Sequence, residues 1–94
     1  MKAFVLIKIR TGEVELVLRD LYRIPAVADA YMTFGPHDAI AMIEAEDLKQ
    51  IGQIVYSEIQ PIPGILQTLT LLAIESQQIA KIKESKLNQH LHPN

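Results

Sequence analysis

Apolar side chains along this chain recur with two different periods, and the changes from one to the other mark out its elements. Residues 4–10 join aromatic and β-branched residues to the charged Lys8 and Arg10, which predicts a strand whose far end reaches solvent. Thr11 and Gly12 break it. Thr11 stands where a helix N-cap is expected, Glu13 adds an acid to the first turn, and Val14, Val17, Leu18 and Leu21 follow at helical spacing. Arg19 and Arg23 lie toward the C-terminal end of that helix, where its dipole favours cations, and Ile24-Pro25 stops it. Period two returns over residues 27–34, pauses at the turn chemistry of Gly35, Pro36, His37 and Asp38, and resumes over residues 39–45, predicting a hairpin. A second helix opens on Glu46 and Asp47, carries the stripe Leu48, Ile51, Val55 and Ile59, and ends at Pro61. Gly52 in that stripe is expected to let helix and sheet approach closely. After Pro63-Gly64, residues 65–74 are almost unbroken apolar sequence, which reads as a strand buried on both faces.

The element order is therefore βαββαβ. Its halves echo each other, since Ile24-Pro25 and Ile62-Pro63 each end a helix and a small residue then opens a strand. With right-handed crossovers, a hairpin joining two such halves gives a four-stranded antiparallel sheet with both helices on one face, an α+β, ferredoxin-like arrangement. The other face has no cover. In the first strand Val5, Ile7 and Ile9 alternate with Phe4, Leu6 and Lys8; in the last, Ile65, Leu69 and Leu71 alternate with Leu66, Thr68, Leu72 and Ile74. Both faces are apolar, two short helices cover one, and the other exceeds the patch that monomers usually leave in water. A second copy of the chain is the expected cover, giving at least a dimeric α/β sandwich that buries roughly 1,200–2,000 Å² in total. The alternative is a C-terminal segment folded back over its own sheet.

Composition narrows the function. Ninety-four residues allow one domain with a thin core, yet 49% of them are hydrophobic and only 5% aromatic, more aliphatic surface than such a core absorbs. A net charge of −2 argues against direct nucleic-acid binding, which needs clustered Lys and Arg. The absence of cysteine removes disulfides, thiolate catalysis and Cys-ligated metals. The first apolar run is too short, and too soon charged, for a signal peptide or membrane span, so a soluble, cytoplasmic protein is expected.

Four stretches carry a family resemblance: Ala3-Phe4-Val5-Leu6-Ile7-Lys8-Ile9, Ile24-Pro25-Ala26-Val27, Phe34-Gly35-Pro36-His37-Asp38-Ala39-Ile40 and Ile62-Pro63-Gly64-Ile65-Leu66-Gln67-Thr68-Leu69-Thr70. In this order they resemble the C-terminal effector-binding and oligomerisation domain of the leucine-responsive and asparagine-responsive (Lrp/AsnC) transcription regulators. Residues 1–75 are thus expected to form the ligand-binding domain, and residues 76–94 a tail that is partly helical or disordered. The resemblance implies sheets that pair into homodimers, dimers that assemble into octamers, and small effectors, typically amino acids, held between dimers. Those regulators carry a helix-turn-helix domain ahead of this one, whereas here the first strand begins almost at Met1. The resemblance therefore implies a stand-alone binding module linked to transcriptional regulation, with full-length family regulators among its expected partners.

Gly35, Pro36, His37 and Asp38 match the family's hairpin turn, where backbone amides and polar side chains hold an amino acid's charged ends. The same residues also suit a plain turn in which Asp38 bonds local amides. His37 stands where family members often carry an aromatic residue, so the resemblance implies a more polar pocket here. Thr68 and Thr70 share one face of the last strand and offer hydroxyls to a ligand, or merely serve β-propensity. The alternative function, a small ferredoxin-like dimeric α/β-barrel enzyme, has only His37 beside Asp38 as an acid–base pair, with no nucleophile motif or phosphate loop. No catalytic residue and no cofactor are therefore expected. His90 and His92, near the chain end without carboxylate or thiolate partners, are not read as a metal site.

Overall fold

A strand whose alternate residues are all apolar belongs at the centre of a sheet that has one face against helices. Strand β1, Lys2–Ile9, meets that condition with Ala3, Val5 and Ile7 wholly buried and Ile9 nearly so. The computed structural model of the chain describes residues 1–74 together with Lys83. After β1 come α1 (Val14–Tyr22), β2 (Val27–Met32), β3 (Ala39–Glu44), α2 (Leu48–Ile54), which a π-helical turn over Val55–Ile59 prolongs, and β4 (Ile65–Leu72). The predicted βαββαβ order holds. All pairings are antiparallel in the order β2-β3-β1-β4, the arrangement expected of the ferredoxin-like fold.

The core lies between the helices and the odd-numbered positions of the two central strands. Val5 and Ile7 of β1 and Ala41 and Ile43 of β3 are fully buried with Val17 and Leu21 of α1 and Ile59 of the π turn, and Ile51 and Ile54 of α2 are nearly so. Full burial of each Val, Leu or Ile side chain contributes about 1.5–3 kcal/mol. The two halves leave their helices by the same turn. In the first, Ile24 N–H donates to Leu21 O at 3.1 Å and Val27 N–H to Ile24 O at 3.0 Å. In the second, Ile62 N–H donates to Ile59 O at 3.0 Å and Ile65 N–H to Ile62 O at 3.2 Å. Ile24 and Ile62 are both buried, so the repeated Ile-Pro step anchors each turn in the core.

Four expectations need correction. Thr11 does not cap α1: the cap position is Glu13, with no side-chain cap bond, because Gly12 at φ +86° turns the chain before the helix can start from Thr11. Glu13 instead pairs with Arg10 at 3.2 Å. The second strand stops at Met32 and the last at Leu72, each two residues short of the predicted end. β4 is not buried on both faces: it has one neighbour, β1, and Leu66, Leu69, Leu71 and Leu72 are 47–62% exposed. Finally, Gly52 makes no close approach, since a Cβ there would meet nothing within 4 Å. The tail expectation and His90 and His92 lie outside the described residues.

Candidate functional site

The β2–β3 connection places Gly35, Pro36, His37 and Asp38 at one end of the sheet, beyond the last pair of β1 and β3. Gly35 takes φ +128°, a conformation that favours glycine, and is exposed with Pro36. Asp38 is tied inward: its carboxylate accepts the Ile9 N–H at 2.7 Å and its own N–H donates to Ile7 O at 2.8 Å. Thr33 closes the loop, its N–H donating to Asp38 O at 3.0 Å and its hydroxyl to His37 O at 2.9 Å. Asp38 thus binds a backbone amide, but that of Ile9 on β1 and not the local amide that the plain-turn reading expected. Phe34, which period two alone assigns to a strand, is fully exposed at the tip of this loop. Its neighbours are the available signal, because an aromatic residue directly before Gly-Pro sits where the chain is turning away from the core.

Thr68 and Thr70 lie on β4, on the other side of β1 from the turn: the Asp38 N–H donates to Ile7 O, and Ile7 pairs with Thr68 across the next strand gap. They pair with Ile7 and Val5 and so share the helix-side face, as period two requires. Thr68 accepts from the Gln60 side-chain amide at 3.0 Å, a contact between the π turn's exit and β4 that no sequence signal announced. Thr70 lines a groove of about 310 Å³ between α2 and β4, with Leu48, Ile51, Gly52, Val55 and Leu72 and the polar ends of Tyr56 and Gln60. None of the turn residues lines this groove, nor the concavity beside Thr68, so within one chain the six predicted ligand contacts form two separate places.

The opposite face of the sheet has no helix. Cross-strand partners share a face, and the register sets two apolar rows there. One runs Tyr31, Ile40, Leu6, Leu69 across all four strands, and the other runs Met42, Phe4, Leu71 and meets the acidic Asp29 at its β2 end. Leu69 and Leu71 are 49% and 48% exposed. Charge frames the rows: Lys2 lies opposite Glu44 at one end and Lys8 opposite Gln67 at the other. Beside the first row, Tyr31 donates its hydroxyl to the Asp29 carboxylate at 2.6 Å, and that bond raises its pKa above the ordinary 10.0. Among the described residues no three His, Cys, Asp or Glu cluster as metal ligands, and no helix is long and apolar enough to cross a membrane.

Sheet, helices and open apolar face together define a small α+β module of ferredoxin-like fold with one sheet face left without helices. The chain belongs to the Lrp/AsnC ligand-binding domain family, whose model matches residues 2–83. The HTH-type transcriptional regulator FL11 of Pyrococcus horikoshii is 26% identical over 78 residues, 83% of this chain and 51% of that regulator. The crystal structure of TTHA0845 from Thermus thermophilus superposes with a TM-score of 0.75 at 32% identity, covering 80% of this chain and 94% of that one. Escherichia coli AsnC gives a TM-score of 0.75 at 21% identity over 80% of this chain and 51% of AsnC, a likeness of fold. The chain thus spans about half the length of the curated regulator FL11.

Proposed function

We propose that this chain is a self-associating module of transcriptional regulation that binds a small amino acid or related metabolite and does no chemistry on it. The observation that carries the reading is the open face: a ligand-binding-domain relative of transcription regulators keeps two continuous apolar rows in water unless a second sheet covers them. Sheet-to-sheet homodimers follow, with assembly of dimers up to an octamer. The effector lies between dimers, where Gly35, Pro36, His37 and Asp38 of one chain meet groups of another. This agrees with the separation of those residues from Thr68 and Thr70 within one chain. Contact with DNA comes through regulators that carry a reader domain, and the module acts in the cytoplasm. An enzyme built on His37 and Asp38 gains no support, because the Asp38 carboxylate is committed to the Ile9 amide.

Light scattering after gel filtration, with and without a panel of amino acids, tests the reading. A dimer or larger species is expected, one amino acid shifts its mass, and Leu6→Asp, which sets a charge in the middle of the first row, gives a folded monomer. A wild-type chain that stays monomeric in every condition overturns the proposal.

A further inference from the structure

We propose that the segment after β4, residues 75–94, seats its Ile79 and Ile82 in the α2–β4 groove of its own chain, covering the helix side and leaving the bare sheet face to a partner. The contact lies within one chain and does not rest on self-association. The groove, about 310 Å³, has an apolar wall of Leu48, Ile51, Val55 and Leu72, and no charged residue lines it. Leu48 and Tyr56 along it are 57% and 75% exposed among the described residues, so there is apolar surface left to cover.

The course of the chain decides which occupant is favoured. Ala45 N–H donates to Met1 O and Ala73 N–H to Lys2 O, each at 2.9 Å, so α2 starts and β4 ends at the same end of β1. Leu72 is itself part of the groove wall, and the segment begins three residues past it. By period two, Ile74 continues the face of Thr70 and Leu72, and it is 62% exposed. A tether this short holds its own segment at an effective concentration on the order of millimolar, which a free ligand or a second copy must exceed to compete. Length fits as well. From Leu48 to Ile59 the helix and its π turn run roughly 17 Å, and residues 79–91 span about 18 Å as a helix, leaving residues 74–78 to reverse the chain. Lys83 is helical, and a helix through it sets Ile79 and Ile82 on one side and Lys81 and Glu84 on the other. Such a stripe suits a groove with polar ends at Tyr56 and Gln60, whereas the two rows of the open sheet face are far broader than two isoleucines cover.

The test places a reporter in the groove. The chain has no tryptophan, so Tyr56→Trp in the full chain supplies a single indole, studied alone and together with Ile79→Asp and Ile82→Asp. Tyr56 is exposed and the described core uses neither isoleucine, so folding is expected to be unchanged, with a cooperative urea transition as the check. With the segment intact, the indole is expected to emit at shorter wavelength and to be quenched by acrylamide several-fold less efficiently than with the two aspartates. The protection is expected to persist on dilution and in the Leu6→Asp background. An indole quenched alike with and without the aspartates overturns the proposal. Protection that disappears on dilution or in Leu6→Asp also overturns it, because the groove is then covered by a second copy. If light scattering finds the wild type monomeric while the indole stays protected, self-association falls and this contact stands.

Discussion

In β1–α1–β2 the helix runs regularly from Val14 to Tyr22, and the chain leaves it through Ile24 and Ala26; in β3–α2–β4 the helix is capped by Asp47, contains Gly52, widens into a π turn over Val55–Ile59 and exits through Ile62 and Gly64. The edges differ as well. β2 carries a register shift between Val27 and Asp29 and an acid on its open face, features that discourage further pairing, whereas β4 runs eight residues with no charge. What the halves share, a buried Ile and two backbone bonds per exit turn, is what the fold itself requires. What separates them gathers in the second half, around the α2–β4 groove and the uncharged edge. Irregularity there is concentrated where a neighbour can be met, and substitutions at the exit turns, the helix starts and Gly52 ask how much of it the isolated fold needs.

The largest expected effect falls on the exit turn. Gly64 sits at φ +98°, where an L side chain costs about 1–2 kcal/mol, and its Cβ would lie 3.2 Å from Val17 Cγ2. Gly64→Ala is therefore expected to lose about 2 kcal/mol in urea denaturation at one fixed protein concentration, since association adds to apparent stability. At the matching position Ala26→Gly costs only about 0.5–1 kcal/mol, through the unfolded chain. Equal losses would break the contrast between the two turns.

Helix starts give the next contrast. The Asp47 carboxylate accepts the Gln50 N–H at 2.8 Å, while the Gln50 side chain returns to the Glu46 N–H at 2.7 Å. Asp47→Ala is expected to cost about 1 kcal/mol. Glu13 caps nothing and makes one surface ion pair, so Glu13→Ala is expected to stay within about 0.5 kcal/mol of wild type. A larger loss at Glu13 than at Asp47 would reverse the assignment of which helix depends on its cap.

Most of the architecture was legible because burial on one side of a strand leaves a period-two trace that local chemistry does not blur. Val5, Ile7 and Ile9 declared their face, Asp47 its helix start, and the two Ile-Pro steps their turns. The run Ile65–Leu72 misled for a physical reason: an apolar run records residue type and not what covers it, so an edge strand with exposed leucines reads like a central one. Thr11 misled because Gly12 could take up the reversal first. Nothing in the sequence marked the π turn, since π bonding there depends on how the helix packs, not on residue type. The turn residues Gly35 to Asp38 were placed correctly as a loop. Their hydrogen bonds run inward, however, and the separation from Thr68 and Thr70 depends on strand order, which no local pattern encodes.

The smallest effect is the most informative about the second half. Glycine in a helix interior costs about 1 kcal/mol relative to alanine, and no contact in its own described chain offsets that cost at Gly52. Gly52→Ala is accordingly expected to raise stability by about 0.5–1 kcal/mol, against the usual direction of a substitution, while one added methyl only narrows the groove. The measurement is the urea midpoint at fixed concentration, with an unchanged slope showing that the extent of unfolding is the same. α1 has no glycine and gives no such opportunity, so the gain would show that the second helix carries a cost the first does not. A loss of stability instead would mean that the added methyl meets a neighbour in the folded molecule. The irregularity of the second half would then serve its own packing, and the contrast between the halves would lose its functional sense.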